Sequence, residues 1–236
     1  MSAAAAKLER TDADVAQIKA SIQASLATMQ AHDTPYRHWT LSNVLPEPVV
    51  DALMALPFDA QDVGGVSGER LLHDDTRTYF GAENIARYPV CEAVARAFHD
   101  SETVAAFARA SGASLDGTLL RLEYALDQDG FWLMPHTDLG VKKLTFLYYL
   151  ARPGQEDAGT DIYESAEKWA KRAPFARNQA LMFVPSDNTW HGFEQRPIPG
   201  VRKSLIMNYV TEAWRDRFQL SYPETPVRAA SRSRTA

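Results

Sequence analysis

The chain has 236 residues, 45% hydrophobic and 23% charged, which supplies enough apolar material for one substantial core. Its formal net charge of −5 argues against a nucleic-acid or anionic-membrane surface, since either needs concentrated Lys and Arg. The single cysteine, Cys91, excludes an intramolecular disulfide and a thiolate metal cluster, and no apolar run of about twenty residues exists to span a membrane.

The N-terminal MSAAAAKLERTD lacks the apolar core of a signal peptide, so a reduced cytoplasm is the expected compartment. From Thr11 to Gln30, Val15, Ile18, Ile22, Leu26 and Met29 recur at spacings of three and four, which predicts an amphipathic helix capped at Thr11 or Asp12. Tyr36 to Leu41 predicts a short strand, and Pro46 to Leu56 a helix opened by its proline. Asp59 to Asp75 contains QDVGGVSGER and reads as a loop, the candidate lid. It leads into TRTYF, a predicted strand carrying Arg77. Pro89 to Ala110 reads as one helix with Val90, Val94, Ala97, Phe98, Val104 and Phe107 on its buried side, stopped at Ser111-Gly112.

Beyond Gly117 the pattern changes to strands. LLRLEYAL alternates Leu120, Leu122, Tyr124 and Leu126 against Leu119, Arg121, Glu123 and Ala125. FWLMPH, LTFLYYL, TDIY, ALMFV, TWHGF and SLIMNYV follow, separated by Gly-, Pro-, Asp- and Asn-rich connections, with Pro174 to Asn178 leading into ALMFV. So many short strands predict an antiparallel sandwich or barrel. Thr211 to Leu220 predicts a final short helix, and the Arg-containing tail after it reads as solvated charge. Helices first and strands second make an α+β layout.

The chemistry concentrates in His136-Thr-Asp138. Residues two apart on an extended segment share a side, so an imidazole and a carboxylate can aim at one point. His191 follows 53 residues after Asp138, flanked by Trp190 and Phe193, and Arg202-x-Ser204 begins eleven residues after His191. Alone, each piece has a bland reading: a chance His-x-Asp, a hydrogen-bonded structural histidine, a surface arginine. Together they answer one another. Two imidazoles and a carboxylate cover one face of an octahedral ion and leave three positions free, which suits non-haem Fe(II) oxygenases. The helical HExxH of many zinc hydrolases does not occur.

HTDLGVKKLTFLYYL and TWHGFEQRPIPGVRKSLIMNYV resemble the two metal-bearing regions of the Fe(II)/2-oxoglutarate-dependent oxygenases, in the prolyl-hydroxylase-like branch. The resemblance runs from about Leu119 to Val210. It implies a double-stranded β-helix (jelly-roll) core over residues 118–211, in one domain spanning 1–236. Residues 1–117 would be mainly helical support packed outside, and 212–236 a C-terminal helix and tail. It implies that His136, Asp138 and His191 bind iron. Arg202 fits the position whose guanidinium pairs with the distal carboxylate of 2-oxoglutarate, a match for a planar fork. Ser204 would add a hydroxyl, with Tyr149 and Tyr124 as further cosubstrate contacts. Lys203 is the alternative cation; Arg202 is preferred because it shares strand parity with Ser204.

AGTDIY resembles the family's glycine-bearing strand but has Gly159-Thr160 where two glycines are usual. Asp138 stands where related halogenases carry a small residue, which argues against halogenation. The implied reaction is hydroxylation of an unactivated C–H bond with O2 as second cosubstrate, and succinate and CO2 as co-products. Arg77, Trp132, Lys142, Lys143 and Asn188 are the candidate substrate contacts, although a Lys pair at a turn is usually solvated charge. A small molecule or soluble conjugate is the expected substrate, with a peptidyl residue as the alternative. A cupin-like, non-redox metal protein is the competing class, and Arg202-x-Ser204 argues against it. Oligomeric state stays open.

Overall fold

The computed structural model describes residues 3–60, 68, 77–138 and 140–230. The expected lid at 59–75 therefore lies outside the described residues, apart from Asp59, Ala60 and Gly68.

Helix α1 (Ala3–Ala27) runs through Thr11, which is buried within it rather than capping it. Its apolar stripe works as the spacing predicts. Ile18, Ile22 and Leu26 are buried against α4 (Pro89–His99) and α5 (Ser101–Ser111), each burial stabilising by roughly 1.5–3 kcal/mol. Gln30 belongs to β1 (Gln30–His32), which pairs with β2 (His38–Ser42). Helix α2 spans Glu47–Met54. The single helix expected from Pro89 to Ala110 is two. Asp100 is extended (φ −63°, ψ 138°) and its carboxylate accepts from the backbone N–H groups of Glu102 and Thr103. An Asp that caps so well starts a new helix instead of continuing the old one. Gly112 closes α5 at φ 77°, a left-handed position that suits glycine. Helix α3 (Ala82–Arg87) was not anticipated.

Strands β3 (Thr78–Tyr79), β4 (Leu119–Asp127), β6 (Lys142–Tyr149), β9 (Gln179–Phe183) and β11 (Arg202–Val210) join β1 and β2 in a seven-stranded sheet of order β1-β2-β9-β6-β11-β4-β3. Strands β5 (Leu133–His136), β7 (Asp161–Ser165), β8 (Lys168–Arg172) and β10 (His191–Phe193) form a four-stranded sheet of order β5-β10-β7-β8. Numbering from β4, the first, eighth, third and sixth strands alternate with the second, seventh, fourth and fifth between two antiparallel sheets. That is the double-stranded β-helix. Sequence reading missed β8, and where it expects a C-terminal helix there are turns and one 3-10 turn, Arg217–Gln219.

The large sheet is buried on both faces, and alternation sorts its residues. Leu120, Leu122, Tyr124, Phe146, Tyr148, Met207 and Tyr209 face the helices in the main core. Ala125, Leu147, Tyr149, Phe183 and Ile206 face the small sheet, packing with Leu133, Ile162 and Phe193. The chemistry lies on this second, inner face.

Candidate active site

A cavity of about 960 Å³ opens between the sheets. On the small sheet, His136 and His191 sit directly opposite each other in the β5–β10 pairing, their ring centroids 4.3 Å apart. Strand β5 ends at His136, so Asp138 reaches the same point from the turn that follows. Ligand atoms of His136, Asp138 and His191 all lie within 4.8 Å of one another. The Nδ1 atoms of His136 and His191 each lie 2.9 Å from the carbonyl two residues back, Met134 and Thr189. With Nδ1–H donating there, Nε2 is left as a lone-pair ligand.

Charge suits the same purpose. Burial, helped by His191, lowers the pKa of His136 to about 4, so the ring is neutral at pH 7. Burial alone would raise the pKa of Asp138. The Lys142 ammonium and His191, with hydrogen bonds from Lys142 and Thr145, outweigh it and hold the carboxyl below its usual range. Lys142 contacts Oδ1 of Asp138, while Thr145 donates to Oδ2 at 2.5 Å. A cation on Oδ1 stands where a metal would sit. Two imidazoles and an anionic carboxylate fit a divalent first-row ion.

Across the cavity, the large sheet presents its inner face in rungs set by register: Asp127 beside Arg202; Ala125, Ser204 and Tyr149; Glu123, Ile206 and Leu147; Arg121, Asn208 and Thr145. Arg202 is 4% exposed; its Nη1 donates to Asp127 at 2.5 Å and its Nε to the Ala158 carbonyl at 2.7 Å. The rings of Phe175 and Phe193 flank it at 5.1 and 4.9 Å. Nη2 makes no hydrogen bond among the described residues, so a pinned guanidinium keeps one edge toward the cavity that it lines with Ser204 and Tyr149. The Tyr149 hydroxyl donates to Thr160 at 2.9 Å. Where the family usually has a second glycine, this chain supplies that acceptor.

Tyr124 corrects the sequence expectation. It lies on the leucine face of β4, turned to the helices, and donates to the Leu53 carbonyl at 2.7 Å. Among the substrate candidates, Arg77 lines the cavity and donates to Glu123 at 3.2 Å, and Lys142 also lines it. Lys143, one residue on, has the opposite parity and is exposed, so it is no cavity contact. Asn188 is exposed on the β9–β10 turn, accepting from Ser186 at 2.6 Å. Trp132 packs its ring on Gly68, behind the cavity wall.

Several residues went unsingled in the sequence. Arg121 and Glu123, 4% and 2% exposed, form an ion pair at 2.7 Å on the cavity wall. The alternation of β4 places both on the face opposite its leucines, and that was the available signal. Thr145, Trp214 and Gln219 complete this wall. The Tyr36 hydroxyl is buried with no hydrogen-bond partner among the described residues; burial, with Tyr149 and Asp138 nearby, raises its pKa. An orphaned buried donor beside the site is one that a bound group can satisfy.

No family model matches the sequence, and no curated protein does. Solved structures do. A prolyl-4-hydroxylase from Pseudomonas putida superposes with a TM-score of 0.50 at 16% identity, covering 82% of this chain and 94% of that one. A prolyl hydroxylase from Trichoplax adhaerens, solved with a peptide fragment of hypoxia inducible factor, gives 0.52 at 13% identity over 87% and 92%. A prolyl 4-hydroxylase from Phytophthora capsici gives 0.56 at 15% identity over 84% and 65%. At such identities the likeness is one of architecture, and it agrees with the strand order: this chain has the double-stranded β-helix fold of the prolyl hydroxylases.

Proposed function

We propose that the protein is an Fe(II)- and 2-oxoglutarate-dependent dioxygenase that hydroxylates a C–H bond of a small molecule or soluble conjugate. The observation that carries this is the pairing of two sites across one cavity. His136, Asp138 and His191 converge on the small sheet, and Arg202, Ser204 and Tyr149 line the cavity from the large one. A non-redox metal protein has no use for the second set.

His136, Asp138 and His191 would hold the iron, which with 2-oxoglutarate and O2 supplies the oxidising equivalents for C–H hydroxylation, releasing succinate and CO2. The open edge of Arg202 would receive the distal carboxylate, the strongest contact a guanidinium makes. Asp127 and the Ala158 carbonyl fix the guanidinium plane beforehand, so little side-chain entropy is lost on binding. Ser204 and Tyr149 would orient the same carboxylate. Leu147 and Ile206 share a rung with Glu123, between the Ser204–Tyr149 rung and the Arg121 rung, and give the middle of the cavity an apolar patch. The buried, charged character of that wall favours a compact polar substrate.

Anaerobic titration of Fe(II)-loaded protein with 2-oxoglutarate tests the reading. A weak visible metal-to-ligand band is expected, needing at least tenfold more cosubstrate in Arg202→Ala. No band, despite one metal bound per chain, would move the cupin-like class to first place. Succinate release stimulated by prolyl peptides, but by no amino acid or small conjugate, would assign a peptidyl substrate instead.

A further inference from the structure

Resting on the metal reading above, the geometry points to Asn208 and Arg121 as positioning residues that hold Asp138 by one oxygen, Oδ2, and so orient the other toward the metal position. Arg121, Asn208 and Thr145 stand on one rung of three adjacent strands, β4, β11 and β6, and are 4%, 0% and 2% exposed. The Arg121 Nη1 donates to Asn208 Oδ1 at 3.0 Å, Asn208 Nδ2 donates to Thr145 Oγ1 at 3.0 Å, and Thr145 Oγ1 donates to Asp138 Oδ2 at 2.5 Å.

The direction of this relay is forced. An arginine can only donate, so the Asn208 oxygen must face Arg121 and its amide nitrogen must face Thr145. The Thr145 hydroxyl accepts from that nitrogen, and its single proton is then aimed at Asp138. Oδ2 is committed to Thr145, and Oδ1, which the Lys142 ammonium contacts here, is the oxygen a metal would take in its place. The origin of the relay is itself fixed: Arg121 Nε donates to Gln219 at 2.8 Å, Nη2 to Glu123 at 2.7 Å, and the guanidinium stacks near Tyr79 and Trp214 at 5.0 and 5.1 Å. Without Asn208, the Thr145 hydroxyl is free to rotate and Asp138 loses its fixed donor at Oδ2. Partners of this kind typically change metal affinity by about 10–100-fold.

The test is a double-mutant cycle on the full chain, read by Co(II) binding: calorimetric affinity and the visible d–d spectrum, neither of which needs turnover. Thr145→Val and Asn208→Leu remove the hydroxyl and the amide at nearly constant volume. Each should lower Co(II) affinity about 10–100-fold and alter the d–d bands. The double variant should be no weaker than Thr145→Val alone, because the effect of Asn208 passes through Thr145. Additive losses, or single variants that bind Co(II) like the wild type with an unchanged spectrum, overturn the inference. If Asn208→Leu does not fold, Thr145→Val alone decides it: wild-type affinity and spectrum would overturn it. Failure of the underlying metal reading looks different, since the wild type would then bind no Co(II) that His191→Ala abolishes.

Discussion

Gly192 lies beside His191 on β10, and the backbone of β5 passes so close that only glycine fits. A Cβ there would stand 2.7 Å from the Leu133 carbonyl oxygen and 3.1 Å from that of Met134. Both are backbone atoms of the strand bearing His136, so no side chain can move aside. Restoring ordinary contact, 3.4 Å or more, requires β5 and β10 to part by about 0.7 Å at that point, against bonds that hold His191 opposite His136. Overpacking of this kind costs about 1–3 kcal/mol. At about 2–4 °C per kcal/mol for a chain of this size, Gly192→Ala should melt about 2–12 °C lower. Because the strain falls between His136 and His191, the proposed metal ligands, Co(II) affinity measured by calorimetry should drop at least about tenfold, the equivalent of 1.4 kcal/mol. A variant that melts within about 1 °C of the wild type and binds Co(II) within about twofold would refute the reasoning, since the strands would then part without disturbing the ligands.

His38 is 1% exposed, and burial lowers its pKa to about 4 from 6.5. The unfolded chain takes up that proton first, so its contribution is complete above pH 6.5 and lost as pH falls toward 4. Chemical denaturation at pH 7.5 and pH 5 should show about 2 kcal/mol of acid sensitivity that His38→Gln removes. Asp161, fully buried, accepts from Arg172 at 2.9 Å, Arg196 at 2.6 Å and the Glu194 N–H at 2.8 Å. Asp161→Ala removes the buried carboxylate that Arg172 and Arg196 share and should cost about 3–5 kcal/mol, read as a melting point about 6–20 °C lower; a shift under about 3 °C would contradict this. Asn178 sits at φ 60° and bonds both the N–H and C=O of Leu45 at 2.9 and 2.8 Å. Asn178→Ala should destabilise more than Asn178→Gly, by about 1 kcal/mol in urea titration, because glycine tolerates the left-handed backbone.

The β-core was legible because its strands alternate or run apolar, and the ligand spacing survives into three dimensions as the β5–β10 pairing. Helix α1 was readable for the same reason, its stripe being long and regular. What failed was punctuation. Asp100 interrupts an apolar rhythm that continues on both sides, so one helix was expected where a capping carboxylate makes two. The β8 segment, KWAKR, is charged and half-exposed and carries no strand pattern, because it is an edge with only one neighbour. Tyr124 was placed at the site on residue type, although its own strand parity aligned it with Leu120 and Leu122 and hence with the helices. Asn208 and Thr145 look like ordinary strand residues in sequence. Only the register across β11 and β6 brings them into line with Asp138.

The strand order also settles how each sheet meets its surroundings. The large sheet ends in β1 and β3, three and two residues long among the described residues, too short to template an added strand. One border of the small sheet is β8, where Lys168, Lys171 and Arg172 line up. Two copies approaching through that border would bring like charges into register before any ladder could form. Among the described residues, three of the four sheet borders are thus poor templates for a further strand: two by their shortness and one by its charge.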